Sequence, residues 1–400
     1  MQAKNIKQLF ELSEIAKKRI LKYPKKRFIY EDILKHKDKR FISVIGPRGV
    51  GKTVLLRQIA AGDKSSFYVS MDTFGEGNLF DFAKVLSENY GIKSLLIDEI
   101  HFFKNYDAEL KKIFDFLEVN IIFTSSVSLS LYESSYDLSR RVKLVNMFPF
   151  TFREYIYFKD SVKINPLSMT DIFNRKWTKN HLKWMYLFDE YLKGGLYPLS
   201  MENFDVLDVM KNILDKIISK DIPIFANLRM EEVDLIGKTF KFIARATAED
   251  INYSAISRNV GITKHKAQQY LDLLQKAFLV NVTMPYGTNV LKEPKVLLSL
   301  PFRLLYKNYD EALGSLREDF AVECLRMRGY DVFYLKSPRG AKTPDFFIQE
   351  SDRKFVVEVG GKGKGRKQFK DFKGYDKIMF AHGDVIDDKL KVPLFLLGYL

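Results

Sequence analysis

The segment Gly46-Pro47-Arg48-Gly49-Val50-Gly51-Lys52-Thr53 matches the pattern G-x-x-x-x-G-K-[ST] and directly follows the apolar run 41–45. A strand, a glycine-rich loop and a helix start are the context in which this pattern cradles phosphates. Backbone N–H groups of such a loop converge on the phosphate oxygens, and the helix amino terminus adds a partial positive charge. The alternative is a glycine-rich turn that binds nothing, and the surrounding pattern favours a nucleoside triphosphate site over it.

Two side chains of this loop carry the expected chemistry. We expect Lys52 to reach the β and γ oxygens and the Thr53 hydroxyl to hold Mg²⁺. Lys52 is therefore a candidate catalytic residue as well as a binding residue. The residues expected to contact the nucleotide are Gly46, Pro47, Arg48, Gly49, Val50, Gly51, Lys52, Thr53 and Val54.

The composition is that of a globular protein with several domains. At 400 residues and 46% apolar content the chain is too long for one core and too apolar for disorder, so roughly two to four domains are expected. A net charge of +15 indicates either an anionic partner such as nucleic acid or only a lysine-rich solvated surface. The single cysteine, Cys324, fits a reducing compartment, and the apolar stretches are too short to cross a bilayer. We expect a soluble, cytoplasmic protein without membrane insertion.

Apolar runs alternate with helical patterns through residues 1–150, which is typical of a parallel sheet covered on both faces. One run, 93–97, ends in the carboxylates Asp98 and Glu99. An apolar strand that ends in Asp-Glu downstream of a phosphate loop has the form of a Walker B element. We expect Asp98 to coordinate Mg²⁺, directly or through water, and Glu99 to orient and deprotonate the attacking water. Hydrolysis, and not binding alone, is therefore predicted.

Two further polar segments accompany strands of the predicted sheet. Thr124 and Ser125 follow an apolar strand and either sense the γ-phosphate or lytic water, or cap the next segment. Arg140 and Arg141 precede the last strand of this region. Either arginine places its guanidinium on the γ-phosphate of its own or a neighbouring subunit, or is an ordinary surface residue. A homo-oligomer is expected if an arginine acts across subunits.

The segments GPRGVGKT, LLIDEIH, IIFTSS, SRRVKLVNMFPFTFREY and GGLYP together resemble the prokaryotic, largely archaeal ATPases of the AAA+ superfamily. The resemblance covers nearly the whole chain. It implies ATP as the nucleotide, Mg²⁺ as the metal, a sensor role at 124–126, and a core followed by a helical lid, a winged helix and a domain related to restriction endonucleases. It also implies that GGLYP, at 194–198, abuts the nucleotide base, for which a helix-terminating glycine turn is the alternative.

The fold class that follows is α/β. We predict a P-loop ATPase core of AAA type with an N-terminal helix at 1–150, a helical lid at 151–228, a winged helix at 229–308 and a small α/β nuclease-like domain at 309–400.

The third of these domains has the pattern of a helix-turn-helix. Gly261 would lie in the turn and Thr263 would cap the second helix. This helix either enters the major groove of DNA or packs only against protein. Its candidate DNA contacts are Lys264, His265, Lys266, Gln268 and Gln269.

The last domain contains a pattern that resembles the PD-(D/E)-x-K nucleases. Asp345 is followed, thirteen positions later, by Glu358 on an apolar strand. In that pattern two carboxylates hold Mg²⁺ and a lysine two residues further on activates water. Here that position is Gly360, and Lys362 comes one strand repeat later, so the chain departs from the pattern at the lysine that activates water. The basic run that begins at Lys362 either clamps a phosphate backbone or is a solvated surface.

The leading hypothesis from these observations is an ATPase that acts as a molecular switch and depends on Mg²⁺, with DNA as a candidate target. One alternative is a metal-dependent nuclease regulated by ATP through Asp345, Glu358 and Lys362. The other is a regulatory module that binds DNA and hydrolyses ATP slowly.

Overall fold

The computed structural model describes residues 3–36, 40–75, 77–125, 138–202, 204–226, 228–247, 251–287, 293–336, 343–361, 367–383 and 390–400. The chain divides into two compact units, Met1–Phe148 and Pro149–Leu400. This division falls beside the expected end of the ATPase core at residue 150. The three smaller domains expected after it stay predictions, because residues 149–400 group here as one compact unit.

A parallel sheet forms the centre of the first unit, as the alternation of apolar runs and helical patterns predicts. Its strands are β1 (Phe41–Ile45), β2 (Ser66–Ser70), β3 (Ser94–Asp98), β4 (Asn120–Ser125) and β5 (Val142–Asn146). They stand in the order β2-β3-β4-β1-β5, and every neighbouring pair is parallel. The carboxyl ends of all these strands therefore meet at one edge of the sheet.

Helices pack against this sheet and bury its apolar strands. They are α1 (Ala3–Arg19), α2 (Ile29–His36), α3 (Lys52–Ala61), α4 (Leu79–Tyr90) and α5 (Tyr106–Phe116), with short 3-10 turns at Ile20–Lys22 and Ile100–Phe102. Leu95, Leu96 and Ile97 of β3 are all 0% exposed, as expected for a strand covered on both faces. Local signals set the ends of α4: the Asn78 side chain accepts a hydrogen bond from the N–H of Asp81, and Gly91 follows with a φ of 65°.

The second unit begins with a helical segment, as its pattern predicts. Its helices are α6 (Phe152–Asp160), α7 (Met169–Phe173), α8 (Lys179–Leu182), α9 (Phe188–Glu190), α10 (Val206–Lys216) and α11 (Ile222–Ala226), with π-helical turns at Tyr191–Gly195 and Ile217–Asp221 and 3-10 turns at Met185–Leu187 and Pro198–Met201. Gly194 has a φ of 126°, so the GGLYP segment contains the left-handed glycine of a turn. Tyr155, Tyr191 and Tyr197 are fully buried and form part of the core.

Three helices and a strand pair follow in the order expected for a winged helix. They are α12 (Met230–Arg245), α13 (Tyr253–Val260), α14 (Lys264–Lys276), β6 (Val280–Pro285) and β7 (Lys295–Leu298). Gly261 lies between α13 and α14 with a φ of 75°, and the Thr263 side chain accepts a hydrogen bond from the N–H of Lys266. Strands β6 and β7 are antiparallel. The name winged helix stays a prediction.

The remaining elements extend that strand pair into a larger mixed sheet. They are α15 (Tyr309–Met327), β8 (Phe333–Tyr334), β9 (Phe346–Glu350), β10 (Arg353–Gly360), β11 (Asp376–Ala381) and β12 (Lys391–Pro393), with 3-10 turns at Phe302–Leu305, Lys367–Phe369 and Leu394–Tyr399. The described strands stand in the order β12-β11-β10-β9-β8-β6-β7. Met284 and Pro285 of β6 pair with Phe333 and Tyr334 of β8. The expected domain boundary at residue 308 therefore falls within one continuous sheet.

In the described part of the chain, no helix combines the length and the apolar character of a membrane span.

Candidate functional site

The loop between β1 and α3 has the backbone that the glycine pattern predicts. Gly49 and Gly51 have φ values of 85° and 95°, a region that residues with a Cβ rarely adopt. A Cβ on Gly46 would lie 2.0 Å from the carbonyl oxygen of Met147, so only glycine fits there. Lys52 then begins α3. The loop thus ends at a helix amino terminus, where backbone N–H groups are available to an anion.

Lys52 is held inside this loop. Its Nζ donates hydrogen bonds to the carbonyl oxygens of Gly46, at 2.7 Å, and Pro47, at 2.9 Å. The side chain is 6% exposed, so the ammonium is kept beside the loop backbone and does not extend into solvent. Thr53 and Val54 follow in the first turn of α3, half-buried. This arrangement keeps a positive charge at the place where the sequence predicts phosphate oxygens.

Arg27, which the sequence analysis did not single out, ties the loop to the rest of the unit. Its guanidinium donates to the carbonyl oxygen of Val50 at 2.7 Å and to that of Phe148 at 2.8 Å. From α3, the Gln58 amide donates to the carbonyl oxygens of Tyr23 and Lys25. The segment before α2 therefore braces both the loop and its helix. A basic run at 25–27 gives no signal of such a contact in the sequence.

Asp98 lies at the carboxyl end of β3 and is 3% exposed. Thr124 Oγ1 donates a hydrogen bond to Asp98 Oδ1 at 2.5 Å, and the Tyr68 hydroxyl donates to Oδ2 at 2.9 Å. The donors come from β4 and β2, the strands on either side of β3. Burial, and then the charge of Asp98, raises the pKa of Tyr68, so its hydroxyl keeps its proton and acts as a donor.

Glu99 is the next residue, and its backbone turns sharply. It has φ 52° and ψ 51°, which is uncommon for a residue with a side chain and is found preferentially at functional sites. Its N–H donates to Thr124 Oγ1 at 2.9 Å. One carboxylate oxygen lies 3.9 Å from Arg48 Nη1 of the loop, and the other lies 3.3 Å from His101 Nδ1. The structure thus brings a loop residue and the Glu99 carboxylate together.

Ser125 is fully buried, and its Oγ lies 3.4 Å from His101 Nδ1. His101 therefore stands between Ser125 and Glu99, a position that the sequence analysis missed although the residue belongs to the quoted LLIDEIH segment. Ser126 lies outside the described residues.

Arg140 and Arg141 lie at the opposite edge of the sheet, where the strands have their amino ends. Arg141 comes directly before β5, whose first residue, Val142, pairs with Phe41, the first residue of β1. The length of β1, roughly 16 Å at about 3.3 Å per residue, separates this edge from Gly46. Arg141 Nε and Nη2 donate to the two carboxylate oxygens of Asp115, each at 3.0 Å, whereas Arg140 is exposed. The structure does not bring these arginines to the loop of their own chain, and a role across subunits stays a prediction.

Asp345 and Glu358, the candidate second site, lie on neighbouring antiparallel strands. Phe346 pairs with Val357, and continuing that register places Asp345 opposite Glu358. The Asp345 carboxylate accepts a hydrogen bond from the N–H of Val359 at 2.8 Å, and Glu358 is 4% exposed. Lys362 lies outside the described residues. Among the described residues, no group of three or more His, Cys, Asp or Glu side chains could hold a metal ion.

The candidate DNA-contacting residues of α14 fall into two sets. Lys264 Nζ lies 3.5 Å from a carboxylate oxygen of Glu293, and Lys266 Nζ lies 3.0 Å from one of Glu232. The other candidates, His265, Gln268 and Gln269, are exposed. Contact with DNA stays a prediction.

Comparison with known proteins identifies the first unit. Residues 38–156 match the family model of an AAA domain, and residues 185–299 match that of a domain of unknown function. An uncharacterized protein of Methanocaldococcus jannaschii, MJ1637, is 33% identical, with 92% of this chain and 86% of the relative covered. The chain belongs to the family of MJ1637. Its first unit is an AAA-type P-loop ATPase domain, so the prediction of an AAA-type core is confirmed, while the lid, winged helix and nuclease-like domain stay predictions.

Other similarities are more distant. An uncharacterized protein of Haemophilus influenzae is 25% identical to this AAA protein, with 82% of the chain and 84% of the relative covered. Among solved structures, the Holliday junction branch migration motor RuvB of Thermotoga maritima covers 70% of this chain and 92% of its own, at 16% identity and a TM-score of 0.28. DnaA of Aquifex aeolicus bound to AMPPCP covers 62% and 86%, at 15% identity and a TM-score of 0.28.

Proposed function

We propose that this protein binds ATP with Mg²⁺ at the loop 46–53, hydrolyses it, and works as a molecular switch whose output is carried by the second unit. The observation that supports this most directly is the set of hydrogen bonds joining Asp98, Glu99 and Thr124. These residues lie at the carboxyl ends of β3 and β4, at the same sheet edge as the loop after β1. In open α/β sheets this edge is where ligands bind.

The donor set fits a magnesium ion. Mg²⁺ prefers oxygen ligands and keeps several waters, and the candidate ligands here are the Thr53 hydroxyl and the Asp98 carboxylate. Each oxygen of Asp98 accepts one hydrogen bond from a described residue, and a carboxylate oxygen has lone pairs for two. The carboxylate can therefore keep these bonds and still accept a metal ion or a metal-bound water. Bound Mg²⁺ would neutralise charge on the phosphate oxygens.

The chain's own residues would divide the remaining work. The loop N–H groups and Lys52 bind and orient the phosphates. Glu99 accepts a proton from the attacking water, and contacts with Arg48 and His101 position its carboxylate. Thr124 fixes the backbone at Glu99 through the hydrogen bond from the Glu99 N–H. The Thr124 hydroxyl therefore links the Asp98 carboxylate to the backbone of Glu99.

The test compares two variants with matched controls. Lys52→Ala is expected to abolish binding of a fluorescent ATP analogue, and Glu99→Gln to bind it normally while phosphate release stops. Lys64→Ala and Glu88→Gln make the same kinds of change at exposed positions of the same unit and are expected to resemble the wild-type protein in both assays. Turnover at the wild-type rate in both Lys52→Ala and Glu99→Gln would reject the proposed function.

Duplex DNA is the candidate output partner, supported by the net charge of +15 and by the exposed His265, Gln268 and Gln269 on α14. Phosphate contacts release counterions, so binding should weaken steeply with salt. Fluorescence anisotropy of a labelled duplex at increasing salt, with and without ATP, measures this. Affinity that is absent at low salt would reject DNA as the partner.

Cleavage of nucleic acid is the other candidate output, supported by the neighbouring positions of Asp345 and Glu358. The test incubates supercoiled plasmid and Mg²⁺ or Mn²⁺, with and without ATP, either with the wild-type protein or with Asp345→Asn. Nicking that the variant loses would support a nuclease. Intact plasmid under all conditions would reject it.

A further inference from the structure

Tyr68 does more than fill space in the first unit. In β2, Phe67 and Val69 face the main apolar cluster, so Tyr68 points to the other face of the sheet, because strand side chains alternate. Its hydroxyl donates to Asp98 Oδ2 at 2.9 Å. Phenylalanine would fill the same volume without this bond. What the hydroxyl adds is a contact with the carboxylate proposed to hold Mg²⁺.

The register of the sheet explains how Tyr68 reaches this carboxylate. Tyr68 pairs with Leu96, and Asp98 pairs with Ser70. Asp98 is thus the diagonal neighbour of Tyr68, two residues further along β3, which is within reach of a long aromatic side chain. A shorter hydroxyl residue at position 68 would not span this distance.

Arg57 fixes the direction of the Tyr68 hydroxyl. Its Nη2 donates to the Tyr68 oxygen at 3.1 Å, and its guanidinium lies over the Tyr68 ring at 4.9 Å. Because the oxygen accepts from Arg57, the hydroxyl proton is directed to Asp98. Arg57 lies four residues after Thr53 in α3, so the two side chains share one face of that helix. The helix that carries one proposed metal residue thereby also orients the other.

Thr124 completes the arrangement from the opposite side. Its oxygen accepts from the Glu99 N–H and donates to Asp98 Oδ1. The Asp98 carboxylate therefore lies between two hydroxyls, each of which itself accepts a hydrogen bond from a further donor. The last torsion of an aspartate is otherwise broad, so two opposed donors set the plane of the carboxylate.

We propose that Tyr68, oriented by Arg57, is a positioning residue that sets the carboxylate plane of Asp98 for Mg²⁺ bound together with the nucleotide. This inference rests on the proposed function. Removing a partner that orients a metal ligand typically weakens metal binding about 10- to 100-fold. The loss should appear only when Mg²⁺ is present, because the loop and Lys52 do not depend on Tyr68.

The experiment measures the dissociation constant of N-methylanthraniloyl-ATP twice for each protein, once in EDTA and once in Mg²⁺. The variants are Tyr68→Phe and Arg57→Met, which keep most of the side-chain volume. Tyr30→Phe is the matched control, since Tyr30 is a buried tyrosine of the same unit at 3% exposure and lies outside the arrangement. Circular dichroism checks that each variant is folded.

For Tyr68→Phe we expect the dissociation constant in EDTA to be unchanged. The factor by which Mg²⁺ lowers the dissociation constant should be about tenfold smaller than in the wild-type protein. Arg57→Met should show a smaller loss of the same kind, and Tyr30→Phe none. The inference is overturned if Mg²⁺ lowers the dissociation constant of Tyr68→Phe by the same factor as that of the wild-type protein. It is also overturned if the affinity of Tyr68→Phe is weakened equally in EDTA and in Mg²⁺, because that result indicates a structural role only. If Mg²⁺ leaves the affinity of the wild-type protein for the analogue unchanged, the inference is overturned while ATP binding stands. If the wild-type protein binds no nucleotide, the proposed function itself is overturned.

Discussion

Thr124 Oγ1 donates a hydrogen bond of 2.5 Å to Asp98 Oδ1, across two neighbouring parallel strands. The same oxygen accepts the N–H of Glu99 at 2.9 Å. One fully buried hydroxyl thus contacts both residues of the Asp-Glu pair. The sequence pattern is compatible with Thr124 as a sensor or as a cap. The hydroxyl lies at the Asp98 carboxylate and the Glu99 backbone.

Thr124→Val should reduce turnover by about tenfold or more, because it removes a donor to a proposed metal residue without changing the side-chain volume. It also leaves the Glu99 N–H without this acceptor, which should lower the free energy of unfolding by about 1–3 kcal/mol. Phosphate release and urea denaturation measure the two effects. Thr124→Ser keeps the hydroxyl and should stay close to wild type; wild-type turnover in Thr124→Val would contradict the assignment.

Gly46→Ala should destabilise the first unit and weaken ATP binding. The new Cβ would lie 2.0 Å from the Met147 carbonyl oxygen, and both groups are backbone-bound, so the strands must shift. Gly314→Ala is the contrasting substitution, since it lies inside α15 with open space around its Cβ. It should stabilise the protein by roughly 0.5–1 kcal/mol. Thermal unfolding should show opposite effects of the two substitutions, and analogue binding should weaken for Gly46→Ala alone. Wild-type stability and binding in Gly46→Ala would contradict the close approach.

Arg303→Met should cost about 3–5 kcal/mol of unfolding free energy, because it leaves the buried charge of Asp319 without its partner. Arg303 Nε and Nη2 donate to the two Asp319 oxygens at 2.7 and 3.0 Å, and both side chains are 0% exposed. Urea denaturation measures the loss.

Two further variants control for this effect. The double variant Arg303→Met with Asp319→Leu should recover most of the stability, because no uncompensated charge remains. Lys176→Met breaks an exposed pair with Asp171 and should cost less than about 1 kcal/mol. Equal losses in Arg303→Met and Lys176→Met would show that burial does not govern the cost.

Glu323 should make the second unit less stable as pH rises. Burial, with a contribution from the charge of Asp319, raises the pKa of Glu323 from 4.5 to about 8, although the Leu300 N–H donates to its carboxylate. Between these two values the folded state binds more protons than the unfolded state, so the free energy of unfolding falls with increasing pH. The stabilisation is complete below about pH 4.5 and is lost as pH passes 8.

Glu323→Gln isolates this effect, since the amide can still accept the Leu300 N–H and does not titrate. In urea denaturation at several pH values from 5 to 8, the free energy of unfolding should fall more steeply with pH for the wild-type protein than for Glu323→Gln. Parallel pH profiles would mean that Glu323 is charged in the folded state.

Much of the first unit follows from short segments of sequence. The glycines at 49 and 51 and the lysine after them act through neighbours a few residues away, and the apolar run before Asp98 is visible in the sequence. The need for glycine at 46 comes instead from Met147, in a distant part of the chain. The parallel sheet follows from alternating strand and helix patterns. The antiparallel register of β9 and β10, which places Asp345 opposite Glu358, is likewise set locally by the short turn between these strands.

Other features depend on which strands become neighbours. The expected domain boundary at residue 308 falls within one sheet because β6 pairs with β8, a contact across about 50 residues of sequence. Arg141 contacts Asp115 because the amino end of β5 lies near the end of α5. No local pattern carries this information.

Residue types at fixed short spacings are enough to predict the glycine-rich loop, the Asp-Glu pair at a strand end and the α/β core of this chain. The surroundings of Asp98, in contrast, depend on the tertiary fold. Tyr68, Asp98 and Thr124 lie on three different strands, and their hydroxyl and carboxylate groups meet only when the order β2-β3-β4 brings them side by side. A hydrogen bond requires donor and acceptor atoms within about 3 Å of each other, and sequence spacing does not set that distance between separate strands.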